Sequence, residues 1–125
     1  MENQLIRSTP LENGLTLNLY DSSKVAAGDR CYVALTAVIE IPVADIDPAP
    51  RISAADLRQA VGDVVRYEQK RERHFIDVRE KDALLESMAE QLLAASVGYL
   101  SHPDFPRKAV LREYAKARQR MSLRR

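Results

Sequence analysis

Leu15, Leu17 and Leu19 alternate with Thr16, Asn18 and Tyr20. Alternation at a period of two predicts a half-buried strand, and Asn13-Gly14 just before it is a turn signal. Residues 21–29, DSSKVAAGD, are rich in small and turn-forming types and predict a hairpin loop. A longer strand is expected over about 30–41. Cys31, Val33, Leu35, Ala37, Ile39 and Ile41 fall on one side of it, and Tyr32, Ala34, Thr36, Val38 and Glu40 on the other. Both sides are largely apolar, which places this strand centrally in its sheet.

The stretch 42–52, PVADIDPAPRI, contains three prolines and predicts a stiff connector, since proline donates no hydrogen bond and biases the residue before it toward extended backbone. Ser53 has the character of a helix N-cap, with a short helix over 54–61 and Gly62 as its stop. Over 63–76 two conformations compete. A helix running on from 54 to 75 is disfavoured by Gly62 and by the β-branched pair Val64-Val65; a strand over about 64–72 is the expectation. Asp77 to Glu80 has the form of a capping box. The helix behind it, about 78–100, carries a stripe of Leu84, Leu85, Met88, Leu92, Ala95 and Tyr99. Its later half, LLAASVGYL, is apolar nearly all round, which predicts burial on several sides. SHPDFP (101–106) breaks that helix, and a last helix over about 106–121 places Val110, Leu111, Tyr114, Ala117 and Met121 on one face. A short break between two amphipathic helices predicts an antiparallel helical hairpin. The expected fold class is α+β: a small antiparallel sheet of about three strands with two or three helices on one face. It is expected as one domain over 1–125, with 1–10 and 122–125 flexible.

Composition narrows the function classes more than it selects one. A chain of 125 residues fits one domain with a real core, and with no tryptophan and seven aromatic residues, aliphatic side chains must dominate that core. The single cysteine, Cys31, falls on the inward side of the central strand, where a thiol acts as a small hydrophobe. It implies no oxidising compartment. No apolar run has the length of a signal segment or a membrane span, so a soluble, cytoplasmic protein without a membrane partner is expected. His74 and His102, the only histidines, lack the companions of a zinc site. Gly14, Gly28, Gly62 and Gly98 are scattered, with no phosphate-cradling loop and no G-x-S-x-G. No cofactor, metal or catalytic set is expected, and an enzyme is the less favoured class. His102 is expected to meet carbonyl groups at a helix C-terminus. Asp45 and Asp47 belong to a solvated connector.

The net charge of +1 hides an asymmetry: 11 Lys/Arg against 16 Asp/Glu over 1–102, and 8 against 2 over 103–125. Lys108, Arg112, Lys116, Arg120 and Arg124 follow one another at a spacing of four, a row on a helix opposite its apolar stripe. Such a row suits contact with phosphate or with an acidic protein. It suits equally a solvated face, or pairing with Asp82, Glu86 and Glu90 of the preceding helix, which share the spacing. A second basic set, Arg66, Lys70, Arg71, Arg73 and Arg79, is interleaved with Glu68, Glu72 and Asp77. That mixture fits a charged edge strand that resists pairing with another sheet.

Asp21-x-Ser23 resembles the opening of the nucleotide-binding motif of PilZ domains, but Ala26 stands where that motif wants glycine, and no arginine pair precedes it. ENGLTLNLYDSSKVAAGDR (12–30), ERHFID (72–77) and YLSHPDFPRKAVLREY (99–114) together resemble a group of short bacterial proteins without assigned function. The resemblance implies a complete stand-alone bacterial protein and no activity. The leading expectation is an interaction module whose C-terminal helix presents Lys108, Arg112, Lys116 and Arg120 to a protein or nucleic-acid partner. The alternative is a small-ligand or nucleotide binder, or a minor enzyme, that uses Asp21, Ser23 and Arg30 of the 21–30 loop. A third option is a homo-oligomer with a purely structural row.

Overall fold

The described residues form five strands and three helices. In a computed structural model, which describes residues 4–48 and 50–123, they are β1 (Gln4–Pro10), β2 (Thr16–Asp21), β3 (Lys24–Ala27), β4 (Arg30–Pro42), α1 (Ala54–Val61), β5 (Val64–Asp77), α2 (Lys81–Leu100) and α3 (Phe105–Leu123). Short 3-10 turns at Val43–Asp45 and Val78–Glu80 follow β4 and β5. The class is α+β with an antiparallel sheet, but with five strands where about three were expected.

The two additional strands lie where sequence gave no alternation. The segment expected to be a flexible N-terminus forms β1 from Gln4 on, pairing antiparallel with β2 from Gln4↔Asp21 to Pro10↔Thr16, with an irregularity between Leu5 and Arg7. Pro10 is tolerated because β1 pairs on one edge only. The expected 21–29 loop is shorter than it looked. β3 pairs with β4 there, and only Gly28-Asp29 turns the chain. Gly28 has φ +57°, the left-handed value a type II′ hairpin turn requires at its first central position. At the C-terminal end, 122–123 continue α3, while 124–125 lie outside the described residues.

Contacts divide the chain into two units. The first joins residues up to Ile39 with Glu68–Ser101; the second joins Glu40–Tyr67 with the chain from His102 on. β4 and β5 pass from one to the other.

In the first unit β4 is the central strand, as its two apolar sides predicted. Cys31, Val33, Leu35, Ala37 and Ile39 are buried on one face, and Ala34, Thr36 and Val38 on the other. β2 and then β3 occupy one edge of it, with Asn18↔Val38 and Asp21↔Leu35 giving way to Lys24↔Tyr32. β5 also pairs with β4. The His74 ring lies 5.0 Å from Tyr32 and the Val78 N–H donates to the Asp29 carbonyl at 2.8 Å, so β5 runs antiparallel. The strand expectation for 64–72 holds, and the strand extends to Asp77.

α2 buries Leu85, Met88, Ala89, Leu92 and Leu100; Leu85, Met88 and Leu92 belong to the expected stripe, and Ala89 and Leu100 join them where Leu84, Ala95 and Tyr99 were expected. Leu84 is half-buried, Ala95 exposed and Tyr99 51% exposed. The later half of α2 is not buried all round: Ala94, Ala95 and Gly98 face solvent, where small side chains expose little apolar surface. Ser101 Oγ donates to the Val97 carbonyl (2.6 Å) and Asn13 Nδ2 to the Leu100 carbonyl (2.8 Å), which satisfies the helix end. His102 accepts the Asp104 N–H on Nδ1 at 3.0 Å, as an imidazole acceptor two residues upstream can.

In the second unit Ser53 caps α1 as expected, its Oγ accepting the Asp56 N–H at 3.0 Å. Gly62 ends α1 at φ +86°. α1 packs on α3. Leu57, Val65, Phe105, Val110 and Ala117 are buried, and Tyr67 meets Phe105 edge-on at 5.2 Å.

Ser23 Oγ accepts the buried Ala34 N–H at 3.0 Å, in place of a backbone carbonyl between β2 and β3. Ser23→Ala leaves that donor unpaired, so a loss of about 1–3 kcal/mol is expected. Urea denaturation would read it as a lower midpoint with an unchanged slope.

Candidate functional site

α3 begins directly after a turn closed by the Phe105 N–H to the His102 carbonyl (3.0 Å), and its first helical bond runs from the Lys108 N–H to the Asp104 carbonyl (3.0 Å). Pro106 sits in the first turn, where its missing N–H costs nothing. Of the apolar positions named from sequence, Val110 and Ala117 are buried, Leu111 and Tyr114 are half-buried and Met121 is 64% exposed.

Lys108, Arg112, Lys116 and Arg120 are all exposed. Lys116 Nζ lies 3.3 Å from Glu113 Oε1 on its own helix, an exposed pair that contributes about 0–1 kcal/mol. Lys108, Arg112 and Arg120 form no ion pair or side-chain hydrogen bond among the described residues. The row is not straight. Four residues advance a helix by about 40° beyond a full turn, so Lys108 to Arg120 sweeps about 120° while rising about 18 Å. That sweep carries Arg120 to the side of α3 nearest α1 and β5.

Two further cations, Arg107 and Arg118, belong to the same helix but lie off the row of four-residue spacing. Arg107 Nε donates to the Asp47 carbonyl at 3.2 Å. Arg118 reaches Tyr114, with its guanidinium 6.0 Å from the ring centroid. Counted over Phe105–Leu123, α3 holds six cations and one acid, Glu113. The signal was present in that count, which needed no register.

Arg120 also lines a cleft of about 170 Å³. Ala60 and Val61 of α1, Val64, Val65 and Arg66 of β5, and Glu113 of α3 complete its walls. Val64 is 49% exposed at this opening. Nothing in the sequence pattern brings Arg66 and Arg120 together, because they lie on different elements.

The alternative site is differently occupied. Asp21 Oδ1 accepts the Ser23 N–H at 2.9 Å, and its Oδ2 lies 3.1 Å from Lys81 Nζ. Ser23 Oγ is taken by Ala34, and Ser22 Oγ meets Thr36 Oγ1 at 2.9 Å. These side chains hold the β2–β3 break. Arg30 sits apart at the hairpin turn, 3.8 Å from Asp29. Cys31 is buried and free. Among the described residues no group of three or more His, Cys, Asp or Glu is placed to hold a metal, and no helix is long and apolar enough to cross a membrane.

Compared with protein-family models, curated proteins and solved structures, the chain matches none.

Burial alone would raise the Asp21 carboxyl; the Ser23 side-chain and backbone hydrogen bonds and the Lys81 ammonium outweigh it, and the net direction is downward. The stability this adds is complete above the unfolded aspartate value of about 3.9 and is lost as pH falls through the lower folded value. Asp21→Asn is therefore expected to be less stable than wild type at neutral pH. The gap should narrow as the solution is acidified below about pH 4. Urea midpoints across a pH series would check both.

Proposed function

We propose that the chain is a non-enzymatic interaction module that docks a polyanionic partner, a nucleic acid or an acidic protein, through the exposed basic side of α3. The observation that carries this is the trio Lys108, Arg112 and Arg120, exposed and without an ion pair among the described residues, on a helix with six cations and one acid. Cations four apart repel one another. A bound anion removes that repulsion and releases the counterions it would otherwise hold.

Four phosphate contacts correspond to a salt slope of about −3.6, or about a hundredfold loss of affinity between about 50 and 200 mM salt. Fluorescence anisotropy with labelled random-sequence DNA, RNA and polyglutamate is expected to show such a loss for at least one of the three. A variant with Lys108, Arg112, Lys116 and Arg120 changed to Glu, folded by circular dichroism, is expected to show no binding. Equal binding by variant and wild type, or no binding by wild type at low salt, would refute the proposal.

A further inference from the structure

Resting on the reading of α3 as a docking surface, we infer that its polyanion is double-stranded DNA: α3 lies in the major groove, and cations on its two flanks meet the phosphates of the two strands.

The distribution of charge around the helix decides first. Each residue turns an α-helix by about 100°. With Lys108 as origin, the buried Val110 and Ala117 fall at about 200° and 180° and mark the side turned to the core. Lys116 and Arg120 fall at about 80° and 120°, and Arg107 and Arg118 at about −100° and −80°. All four are exposed. Cations therefore stand on both flanks of α3. One strand of nucleic acid offers a single line of phosphates, which meets one flank. A duplex groove offers a line on each wall. The major groove of B-DNA is about 12 Å wide, and an α-helix with its side chains is about 10–12 Å across. The major groove of duplex RNA is deep and narrow and does not admit side chains in this way.

Both flanks are ordered before any partner arrives. Arg107 Nε donates to the Asp47 carbonyl at 3.2 Å, and Arg118 Nη1 to the Tyr114 hydroxyl at 3.5 Å. Each contact uses one of five guanidinium donors, and a side chain already held loses less freedom on binding. On the other flank Lys116 Nζ lies 3.3 Å from Glu113, the one acid of α3.

The line between the flanks decides second. It holds Lys108, Arg112, Ala115 and Gln119, all exposed, and no aromatic or large apolar side chain. A protein partner draws its binding energy from such anchors at the centre of an interface, and a single strand from aromatic faces on which its bases stack. The aromatic rings of α3 are already occupied. Phe105 is buried, and Tyr114 is half-buried with the Arg118 guanidinium 6.0 Å from its ring centroid. Ala115 lets the helix approach the groove floor closely. Arg112 and Gln119 carry donors of the kind that pair with purine edges there.

The test uses the full chain and fluorescence anisotropy with a labelled random-sequence DNA duplex, its single strand, an RNA duplex and polyglutamate. The DNA duplex is expected to bind at least tenfold more tightly than the other three. A DNA duplex whose cytosines carry a bulky group on C5, which fills the major groove, is expected to lose that advantage. Arg107→Gln with Arg118→Gln removes the contacts of one flank and is expected to make the salt slope on the DNA duplex shallower by about 1.8. Lys116→Gln with Arg120→Gln is expected to do the same from the other flank. Should either variant fail to fold by circular dichroism, the comparison of plain and C5-substituted duplexes on the wild type decides. Equal binding of those two duplexes, or a slope that responds to one flank alone, would overturn groove docking and leave α3 as a polyanion-docking surface. Polyglutamate, single-stranded DNA or duplex RNA bound as tightly as the DNA duplex would have the same meaning. Binding of no polyanion would overturn both proposals together.

Discussion

A strand buried on both faces can find hydrogen-bond partners only along its edges, and β4 is such a strand. Ala34, Leu35, Ala37 and Ile39 have no measurable exposure, so none of their backbone groups can turn to solvent. One edge must be filled without a gap. β2 and β3 do this in succession, but the chain between them cannot keep the ladder at Ser22-Ser23. There the Ser22 N–H donates to the Ala34 carbonyl and the Ser23 hydroxyl accepts the Ala34 N–H. A small residue with a hydroxyl is required at position 23. Asp21, which fixes Ser23 through its N–H and is itself held by Lys81 at the start of α2, follows from the same requirement. Polar residues that resemble the start of a ligand loop are thus accounted for by the demand of one buried strand.

The same physics explains which elements were legible. Alternation marked β2 and β4 because each buries at least one face, and Ser53 and Gly62 bracketed α1 because caps act locally. β3 was invisible: all four of Lys24–Ala27 are exposed, so no face imposed a pattern. β1 failed to show for a related reason, since its exposed and half-exposed residues follow no hydrophobic period and its pairing with β2 is set by the Leu11–Leu15 turn. In α2 the centre of the stripe, Leu85, Met88 and Leu92, was legible, and its margins were not. Leu84 and Leu85 are equivalent by composition, and only packing selects Leu85. Outer strands also meet a common constraint, that of not recruiting foreign strands. β5 carries alternating charge along Arg66 to Glu72, and β1 carries an irregularity and Pro10.

For α3 the sequence made the chemistry visible and hid the geometry. A spacing of four is close to the helical repeat of 3.6 but drifts from it, so a row of cations becomes a spiral. The drift is what brings Arg120 to the cleft lined by Val61 and Val64 while Lys108 stays on the outer side. Arg66 arrives there from β5, a strand whose mixed charges gave no sign of a shared site.

The energetic cost of the row is small. Three successive like-charge pairs destabilise an isolated helix by about 1 kcal/mol in total, against ~5–15 kcal/mol for a typical domain. The burial of Phe105, Val110 and Ala117 and the packing of α1 on α3 act on the same helix and are ample to hold it. Folding therefore exerts little pressure on the sign of the exposed positions. Six cations against one acid is a bias that stability neither demands nor forbids, and its physical consequence is felt outside the chain, in the field an approaching anion meets.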